Sequence, residues 1–387
     1  MNKLVAGALP VVLLAVLIAS FLQFGPLGLL KTAFPPVEAV AFEKVVLEDG
    51  RIIAYVMNDG PDEVTISQVM VNDAYNKFQA TKSTLKRLEK TIVYIDYPWA
   101  ETLPLSIKLV SSSGLTFEKE IAVATPTPVP DFRYITSFAM IGLYVGVIPV
   151  FLGLLWLPFL RNLSRKWYDF FLSLTVGLLV FLLIDAFEGS LELSSEMPQA
   201  LQGVGIITIG FFLPYLALLA ISRRDSASAV KKTVAGHTLK LSYMIALGIG
   251  LHNMGEGLAI GSAFSIGEIT LGSLLIAGFM LHNLTEGIAI VAPITKHKSE
   301  NVLRHLLVLG LIAGGPTIIG AWIGGFAFSQ FWSLLFLSIG VGAIFYVIVE
   351  VLKYMGNGPQ TTLFTPTNVA GFLAGLLIMY ATGLLVS

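Results

Sequence analysis

The stretches LHNMGEGLAI (251–260) and LHNLTEGIAI (281–290) decide the fold of this chain. Each contains a histidine, an asparagine directly after it, and a glutamate four positions after the histidine. These residues are His252, Asn253 and Glu256 in the first copy, and His282, Asn283 and Glu286 in the second. Each copy lies near the middle of an apolar segment long enough to cross a bilayer. A charged side chain at the bilayer centre costs about 2.5–3.5 kcal/mol on insertion scales. Two such sets at one depth therefore predict a binding site.

The composition indicates a membrane protein with several spanning segments. Hydrophobic residues make up 55% of the 387 residues and charged residues 13%, and the mean hydropathy is +0.80. A soluble protein carries about 25% charged residues. The net charge of −1 gives no electrostatic basis for binding nucleic acid. The chain has no cysteine, which excludes disulfides and thiolate metal sites.

Residues 1–30 contain an uncharged apolar run, residues 4–24, that follows Lys3. This run is either a cleaved signal peptide or an uncleaved signal anchor. Its length exceeds the roughly 7–15 residues of a signal-peptide core, and no small-x-small cleavage pattern follows it. We favour the anchor, and in both cases the next segment is exported.

Residues 37–125 show the period-two pattern of β-strands, as in LSIKLV at 105–110. Asp49-Gly50 and Asp59-Gly60 are hairpin signals. The pattern predicts seven short strands that form a small extracytoplasmic β-sandwich, the β-module. The strands are predicted near 39–47, 51–58, 63–73, 76–80, 90–97, 104–111 and 115–123. This β-module has no histidine or cysteine, so we interpret it as a spacer, packing or dimerisation module. Residues 126–133 are a Pro-rich linker.

Eight further apolar segments are predicted to cross the membrane and to form one helical unit over 134–387. They lie near 134–160, 168–190, 200–221, 240–265, 270–294, 304–327, 331–352 and 367–386. The connections after segments 1, 3, 5 and 7 contain twelve Lys and Arg residues, whereas the other connections and the C-terminus contain none. Because basic loops stay in the cytoplasm, we expect a multi-pass cell-membrane protein whose β-module and C-terminus are extracytoplasmic.

The repeated motif has the donor set of a transition-metal site. Residues four positions apart lie on one face of a helix, so each His–Glu pair forms one edge. Segments 4 and 5 are antiparallel neighbours, and facing edges place two imidazoles and two carboxylates at the midplane. Such a set suits Zn²⁺, Fe²⁺, Mn²⁺ or Co²⁺. Gly257 and Gly287 are expected to let these two helices approach closely.

The motif has two other interpretations. A single His–Glu pair is often only a hydrogen-bonded clamp between helices, but the duplication at one depth argues against it. A zincin protease needs two histidines at i and i+4 on one helix with a glutamate after the first, and neither copy has them.

On these motifs, residues 134–387 resemble the ZIP (Zrt-, Irt-like protein) metal transporters. That family has eight helices, both termini outside, an H-N-x-P-E-G motif in helix 4 and a related motif in helix 5. The resemblance implies a primary metal site formed by His252, Glu256, His282 and Glu286. It also implies a second site beside Asn253 and Asn283, which the two glutamates bridge.

The chain departs from the family pattern at three positions. Gly255 and Thr285 replace the proline before each glutamate, which puts the helix-5 kink in doubt. Gly315 stands before Pro316 where relatives commonly carry a glutamate. The second site thereby loses a ligand, so we expect one strongly bound metal ion rather than a pair.

Three acidic residues are candidates for the path of the ion. Asp185 and Glu188 lie near the outer end of segment 2, and Glu350 lies near the inner end of segment 7. For Glu350 an i, i+3 pair with Lys353 is an equal alternative.

These observations predict an importer of divalent transition metals, with Zn²⁺ favoured and Fe²⁺ or Mn²⁺ as alternatives, that works by alternating access. The expected partners are the transported ion and the lipid bilayer, with no prosthetic group, and a homodimer is common in the resembled family. No Walker motif is present, so direct use of ATP is not expected. Although we expect no enzymatic activity, an intramembrane metalloenzyme and a metal-sensing membrane receptor remain alternatives.

Overall fold

The computed structural model describes residues 12–20, 37–198, 201–224, 234–265, 269–296, 301–327, 329–356 and 363–384, and 66% of it is helical. Most of the predicted anchor in residues 1–30 lies outside the described residues. Residues 12–20, within the predicted apolar run, are helical with exposed side chains.

The β-module consists of two antiparallel sheets. Its strands are β1 (Val40–Glu48), β2 (Arg51–Asn58), β3 (Val64–Val71), β4 (Ala74–Asn76), β5 (Phe78–Ala80), β6 (Thr84–Leu85), β7 (Lys90–Asp96), β8 (Leu105–Ser111) and β9 (Thr116–Ile121). One sheet has the order β1-β2-β7-β5. The other has the order β4-β3-β8-β9, with β6 paired to β3. The strands β1 and β9 are therefore edge strands.

The core of the β-module comes from the alternating residues that both sheets turn inward. Val56 of β2 and Val93 of β7 are fully buried, as are Val71 of β3 and Ile107 of β8. The strand LSIKLVS of β8 alternates buried and half-buried positions along its whole length. This alternation is what period-two patterning dictates for two packed sheets.

The prediction of one strand over 76–80 is wrong. The chain ends β4 at Asn76 and begins β5 at Phe78, and the two strands belong to opposite sheets. A period-two pattern continues through such a crossing because it records side-chain alternation and not the pairing partner. The two-residue strand β6 was also missed, since it is too short to show a period.

Within the part of the chain that the structure describes, eight helical spans follow, and each overlaps one of the eight predicted segments. They are α1 (Phe132–Arg161), α2 (Arg165–Glu196), α3 (Gly203–Arg224), α4 (Val234–Ser265), α5 (Ile269–Val291, continued by a 3₁₀ turn Ala292–Lys296), α6 (Val302–Phe326), α7 (Gln330–Gly356) and α8 (Pro366–Leu384). Seven of them are long and apolar enough to cross a membrane. The exception is α4, which has 32 residues and carries His252, Asn253 and Glu256.

The helix α4 occupies the inside of the bundle. It packs against α5, α6 and α7, while the second half of α1 packs against α5. The helices α2 and α8 form another packed pair, and so do α3 and α7. Because α4 and α5 are held on both sides by other helices, their motif residues face protein rather than lipid.

The motif glycines do not serve the contact that the sequence predicted. A Cβ at Gly257 would lie 2.1 Å from the carbonyl oxygen of Thr317 in α6, and one at Gly287 would lie 2.4 Å from that of Val150 in α1. The expectation that these glycines bring α4 and α5 together is therefore wrong. They instead let α4 touch α6 and let α5 touch α1, because each faces away from the other motif helix.

The helices α1 and α6 are both interrupted at the level where they cross. In α1 a π-helical turn, Leu143–Val147, precedes Pro149, and α6 breaks between Gly314 and Pro316. A Cβ at Gly314 would lie 2.7 Å from the Cα of Val147. A proline inside a helix removes one backbone hydrogen bond and clashes with the preceding turn, which accounts for both breaks.

Candidate metal centre

The two motifs meet inside the bundle because α4 and α5 are packed side by side, and each presents its motif toward the other. The four predicted ligands are buried residues, each with 6% or less of its total surface exposed; they are His252, Glu256, His282 and Glu286. Both helices continue without a break through their motifs. Because residue 285 is threonine and not proline, no proline kink forms in α5. The Thr285 hydroxyl donates a hydrogen bond to the His282 carbonyl oxygen at 2.6 Å.

Glu256 lies at the centre of the group. Its Oε1 atom is 3.1 Å from His252 Nε2 and also contacts His282 Nε2. One possible ligand atom from each of these three residues lies within 4.8 Å of the other two. Ligand atoms about 2.0–2.2 Å from a zinc ion are separated by a few ångströms, so this spacing suits one ion shared by the three side chains.

Glu286 lies beside this group and is held differently. Its Oε2 atom accepts a hydrogen bond from Asn253 Nδ2 at 3.0 Å, and its Oε1 atom is buried with no hydrogen-bond partner among the described residues. The structure thus brings three of the four predicted ligands together and places the fourth next to them, with one free oxygen.

The two asparagines hold the two glutamates in place. Asn283 Nδ2 donates to Glu256 Oε2 at 3.1 Å and to the Val145 carbonyl oxygen at 3.0 Å. Asn253 Nδ2 donates to Glu286 and, at 3.2 Å, to the Ala313 carbonyl oxygen. Each amide therefore connects a carboxylate on the opposite motif helix to the backbone of an interrupted helix, α1 or α6.

The sequence showed no sign of these backbone partners. A carbonyl oxygen has no residue type of its own, so no motif could point to Val145 or Ala313. The prolines were visible, however. Pro149 has no N–H to offer to the carbonyl of Val145, four residues earlier, and Ala313 lies in the last turn before the break at Gly315. Such breaks leave carbonyl groups that accept from side chains.

Several buried polar atoms at the site have no hydrogen-bond partner among the described residues. They are His252 Nδ1, Asn253 Oδ1, Asn283 Oδ1 and Glu286 Oε1. Buried polar atoms are nearly always paired, and an exception needs an explanation such as an ion. Three of the four are oxygen acceptors, which is the arrangement that a cation satisfies. The donor set and these atoms together fit a divalent transition-metal ion.

The three predicted path residues are not part of the group. Asp185 and Glu188 are exposed on α2. Glu350 forms the i, i+3 ion pair with Lys353, at 2.8 Å. For Glu350 the structure therefore shows the local pair that the spacing offered as the alternative to a path role.

Comparisons with known proteins assign neither a family nor a function. No family model matches the chain, and no curated protein matches it. One solved structure that it resembles is the archaellum periplasmic stator protein FlaG from Sulfolobus acidocaldarius. The identity is 13%, the match covers 22% of this chain and 99% of that one, and the TM-score is 0.20. A likeness this weak carries no argument.

Proposed function

We propose that this protein imports a divalent transition-metal cation across the cell membrane, with Zn²⁺ as the favoured substrate and Fe²⁺ or Mn²⁺ as alternatives. One observation carries the proposal. His252, Glu256 and His282 converge within 4.8 Å on two helices inside a bundle of apolar helices, and Glu286 holds a free oxygen beside them. Imidazoles and carboxylates inside a membrane segment are costly, so their presence indicates a binding site or a transport path.

The arrangement around the site supports transport by alternating access. The contact of α4 with α6 has a counterpart in the contact of α5 with α1, and both outer helices are interrupted where they meet the asparagines. Many transporters place their site at the interface of two inverted repeats, among discontinuous helices. The resemblance to ZIP transporters agrees with this arrangement, and we propose membership of that family on the same grounds.

The hydrogen bonds of Glu256 define what the ion must displace. Two imidazole nitrogens face one carboxylate oxygen, so at least one of them carries a proton when it donates to that oxygen. Metal ions bind only to deprotonated imidazole and carboxylate. The ion must therefore displace the proton at that Nε2 atom, which moves to Nδ1 of the same ring when the imidazole is neutral and leaves the group when the ring is an imidazolium.

The orientation follows from the basic connections, which we place in the cytoplasm. The β-module and the C-terminus are then extracytoplasmic, and the ion moves from the side of the β-module toward the basic loops. A homodimer is compatible with this arrangement.

The test is uptake into liposomes that contain the purified protein and a metal-sensitive dye. Wild type should admit Zn²⁺ well above empty vesicles, and His252→Ala should bring the rate close to background. The matched control is Asp169→Asn, which removes an acidic group that pairs with Arg165 at 3.1 Å, remote in sequence from the site, and should leave uptake unchanged. Absence of uptake by wild type would refute the transport function. Saturable binding without flux would instead match the receptor alternative.

A further inference from the structure

A cavity of about 390 Å³ lies between the β-module and the nearby ends of the membrane helices. The edge strands β1 and β9 form one side, and α2, α4, α5 and α7 form the other. An edge strand exposes unpaired backbone groups and is commonly covered by another element. In this protein the edge strands β1 and β9 face the cavity and cover it on the side opposite the helices.

The α4 wall of the cavity leads to the metal centre. Its lining residues follow the i, i+3, i+4, i+7, i+8 spacing of a single helix face; they are Gly255, Leu258, Ala259, Ser262 and Ala263. Eight residues of helix cover about 12 Å. The inner end of this wall, Gly255, directly precedes Glu256. The cavity therefore approaches the centre to within one residue along the chain.

Leu337 of α7 forms the floor of the cavity. Its side chain lies between two glycines, since a Cβ at Gly189 of α2 or at Gly255 of α4 would lie 3.8 or 3.9 Å from its methyl carbons. One turn further along α7, a Cβ at Gly340 would lie 3.1 Å from the Cα of His252. Leu337 therefore separates the cavity from the buried histidine below it.

The cavity offers polar groups to an ion that keeps its water. Ser262 is 7% exposed, lines the cavity, and its hydroxyl has no hydrogen-bond partner among the described residues. The charged lining residues are Glu43, Lys44, Lys119, Glu120 and Glu192. A cavity of this size has room for water, and the Ser262 hydroxyl is a polar partner for it.

Lys44 is one of the two cations that line the cavity, and it is more buried than Lys119. The irregular pairing between Phe42 and Lys44 interrupts the alternation of β1, and a bulge of this kind re-aims side chains. Glu43 pairs with Lys90 at 2.5 Å, whereas Lys44 forms no salt bridge within the described residues. Burial lowers the pKa of the Lys44 ammonium, as expected for a cation without a compensating carboxylate.

We propose that this cavity is the outer vestibule of the metal path, that the β-module is its roof, that Lys44 sets its electrostatic barrier to cations, and that Leu337 is the floor separating it from His252. The proposal rests on the transport function proposed above. It assigns the β-module a direct part in uptake, since its two edge strands decide which solutes reach α4.

Accessibility of single cysteines tests the vestibule without depending on transport. The chain has no native cysteine, so Ser262→Cys can be made directly, with exposed Thr116→Cys on β9 and Ser164→Cys between α1 and α2 as controls. In intact cells a small membrane-impermeant thiol reagent should modify Ser262→Cys and Thr116→Cys but not Ser164→Cys. A polymer-linked maleimide should modify only Thr116→Cys. An unreactive Ser262→Cys beside a reactive Thr116→Cys would refute the vestibule, and equal reaction with the bulky reagent would refute the roof.

Replacement of the lysine tests the barrier. Lys44→Gln removes a positive charge facing a divalent ion, and uptake at sub-saturating Zn²⁺ should rise about threefold to tenfold. The matched control is Lys77→Gln, which removes the same charge at a separate groove of the β-module and should leave the rate unchanged. Equal rates for wild type and Lys44→Gln would overturn the role of Lys44.

The floor is tested by Leu337→Ala, which should speed modification from outside of a cysteine placed at position 252, below the floor, at least about fivefold, measured against His252→Cys alone. An unchanged rate would overturn the role of Leu337.

The transport function and the vestibule can be refuted separately. If wild type admits no Zn²⁺, the transport function is wrong whatever the cysteines show. If it transports while Ser262→Cys is unreactive, only the vestibule is wrong.

Discussion

At the scale of single residues, two nearly identical motifs perform different tasks. Glu256 contacts three side chains, because both histidines contact one of its oxygens and Asn283 donates to the other. Glu286 has one oxygen bound by Asn253 and the other without a partner. We infer that Glu256 organises the centre before an ion arrives, and that Glu286 supplies a free ligand.

This inequality predicts different effects of the two isosteric changes. Glu256→Gln removes the negative charge and one of the two oxygens that the histidines and Asn283 contact, so Zn²⁺ affinity should fall about a hundredfold or more. Glu286→Gln leaves the three-residue group intact and should cost about tenfold. Isothermal titration of the purified protein measures both values. Equal losses would contradict the central position of Glu256.

In the proposed transporter, the asparagines would act on the ion through the carboxylates that they hold. Partners that orient metal ligands typically contribute about 10- to 100-fold to affinity, so Asn283→Ala should raise the half-saturating Zn²⁺ concentration of uptake by that factor. The control is Asn162→Ala, which removes an exposed amide bonded to the Pro158 carbonyl at 3.1 Å and should have no effect. A half-saturating concentration that does not change in Asn283→Ala would show that the amide does not position Glu256.

At the scale of elements, the close pairs of helices are α4 with α6 and α5 with α1. Each outer helix has a proline at its break and a glycine four residues later, Pro149 with Gly153 and Pro316 with Gly320. A Cβ at Gly153 would lie 2.1 Å from a carbonyl oxygen of α5, and one at Gly320 would lie 2.0 Å from one of α4. These glycines let the interrupted helices reach the motif helices, so that their free carbonyls meet the asparagines.

A methyl group at this contact should separate the helices. Gly257→Ala places a Cβ 2.1 Å from the Thr317 carbonyl oxygen, and overpacking of this kind costs about 1–3 kcal/mol. The midpoint of thermal unfolding in detergent should therefore fall, and uptake with it. Gly383→Ala in α8 is the matched control, since nothing lies within 4 Å of its Cβ. Equal midpoints for the two variants would rule out a tight contact at Gly257.

At the scale of the whole molecule, the bundle and the β-module lie in sequence along one route. The cavity under β1 and β9 reaches Gly255, the buried centre follows, and the paired interruptions of α1 and α6 lie at the same level. A transporter that alternates between two openings needs a closed site between two accessible spaces. The buried ligands and the floor formed by Leu337 match the closed site.

The whole cycle should depend on pH. Protons compete with the ion for the imidazoles and carboxylates, so the half-saturating Zn²⁺ concentration should rise as the pH falls. Liposome uptake at several external pH values, with the internal pH held constant, measures this dependence. The maximal rate at saturating Zn²⁺ should change less than the half-saturating concentration. A half-saturating concentration independent of pH would show that no titrating ligand binds the ion.

The sequence by itself determined the β-module, the eight helical spans and the identity of the buried polar group. Hydrophobic period and length are local properties, and a costly pair such as His252 and Glu256 stands out in any apolar segment. Even the strand missed at 84–85 and the single strand predicted over 76–80 concern pairing, which no local pattern records.

Only the tertiary structure decided how these parts are used. In the folded protein, Gly257 contacts α6 and Gly287 contacts α1. Glu256 lies at the centre of the polar group with Glu286 beside it. The strands β1 and β9 lie over the cavity-lining face of α4. The physical reason is that contacts between distant segments depend on backbone approach and on carbonyl groups, which every residue carries. The residue types at 145 and 313 therefore contain no sign of the hydrogen bonds that their oxygens accept.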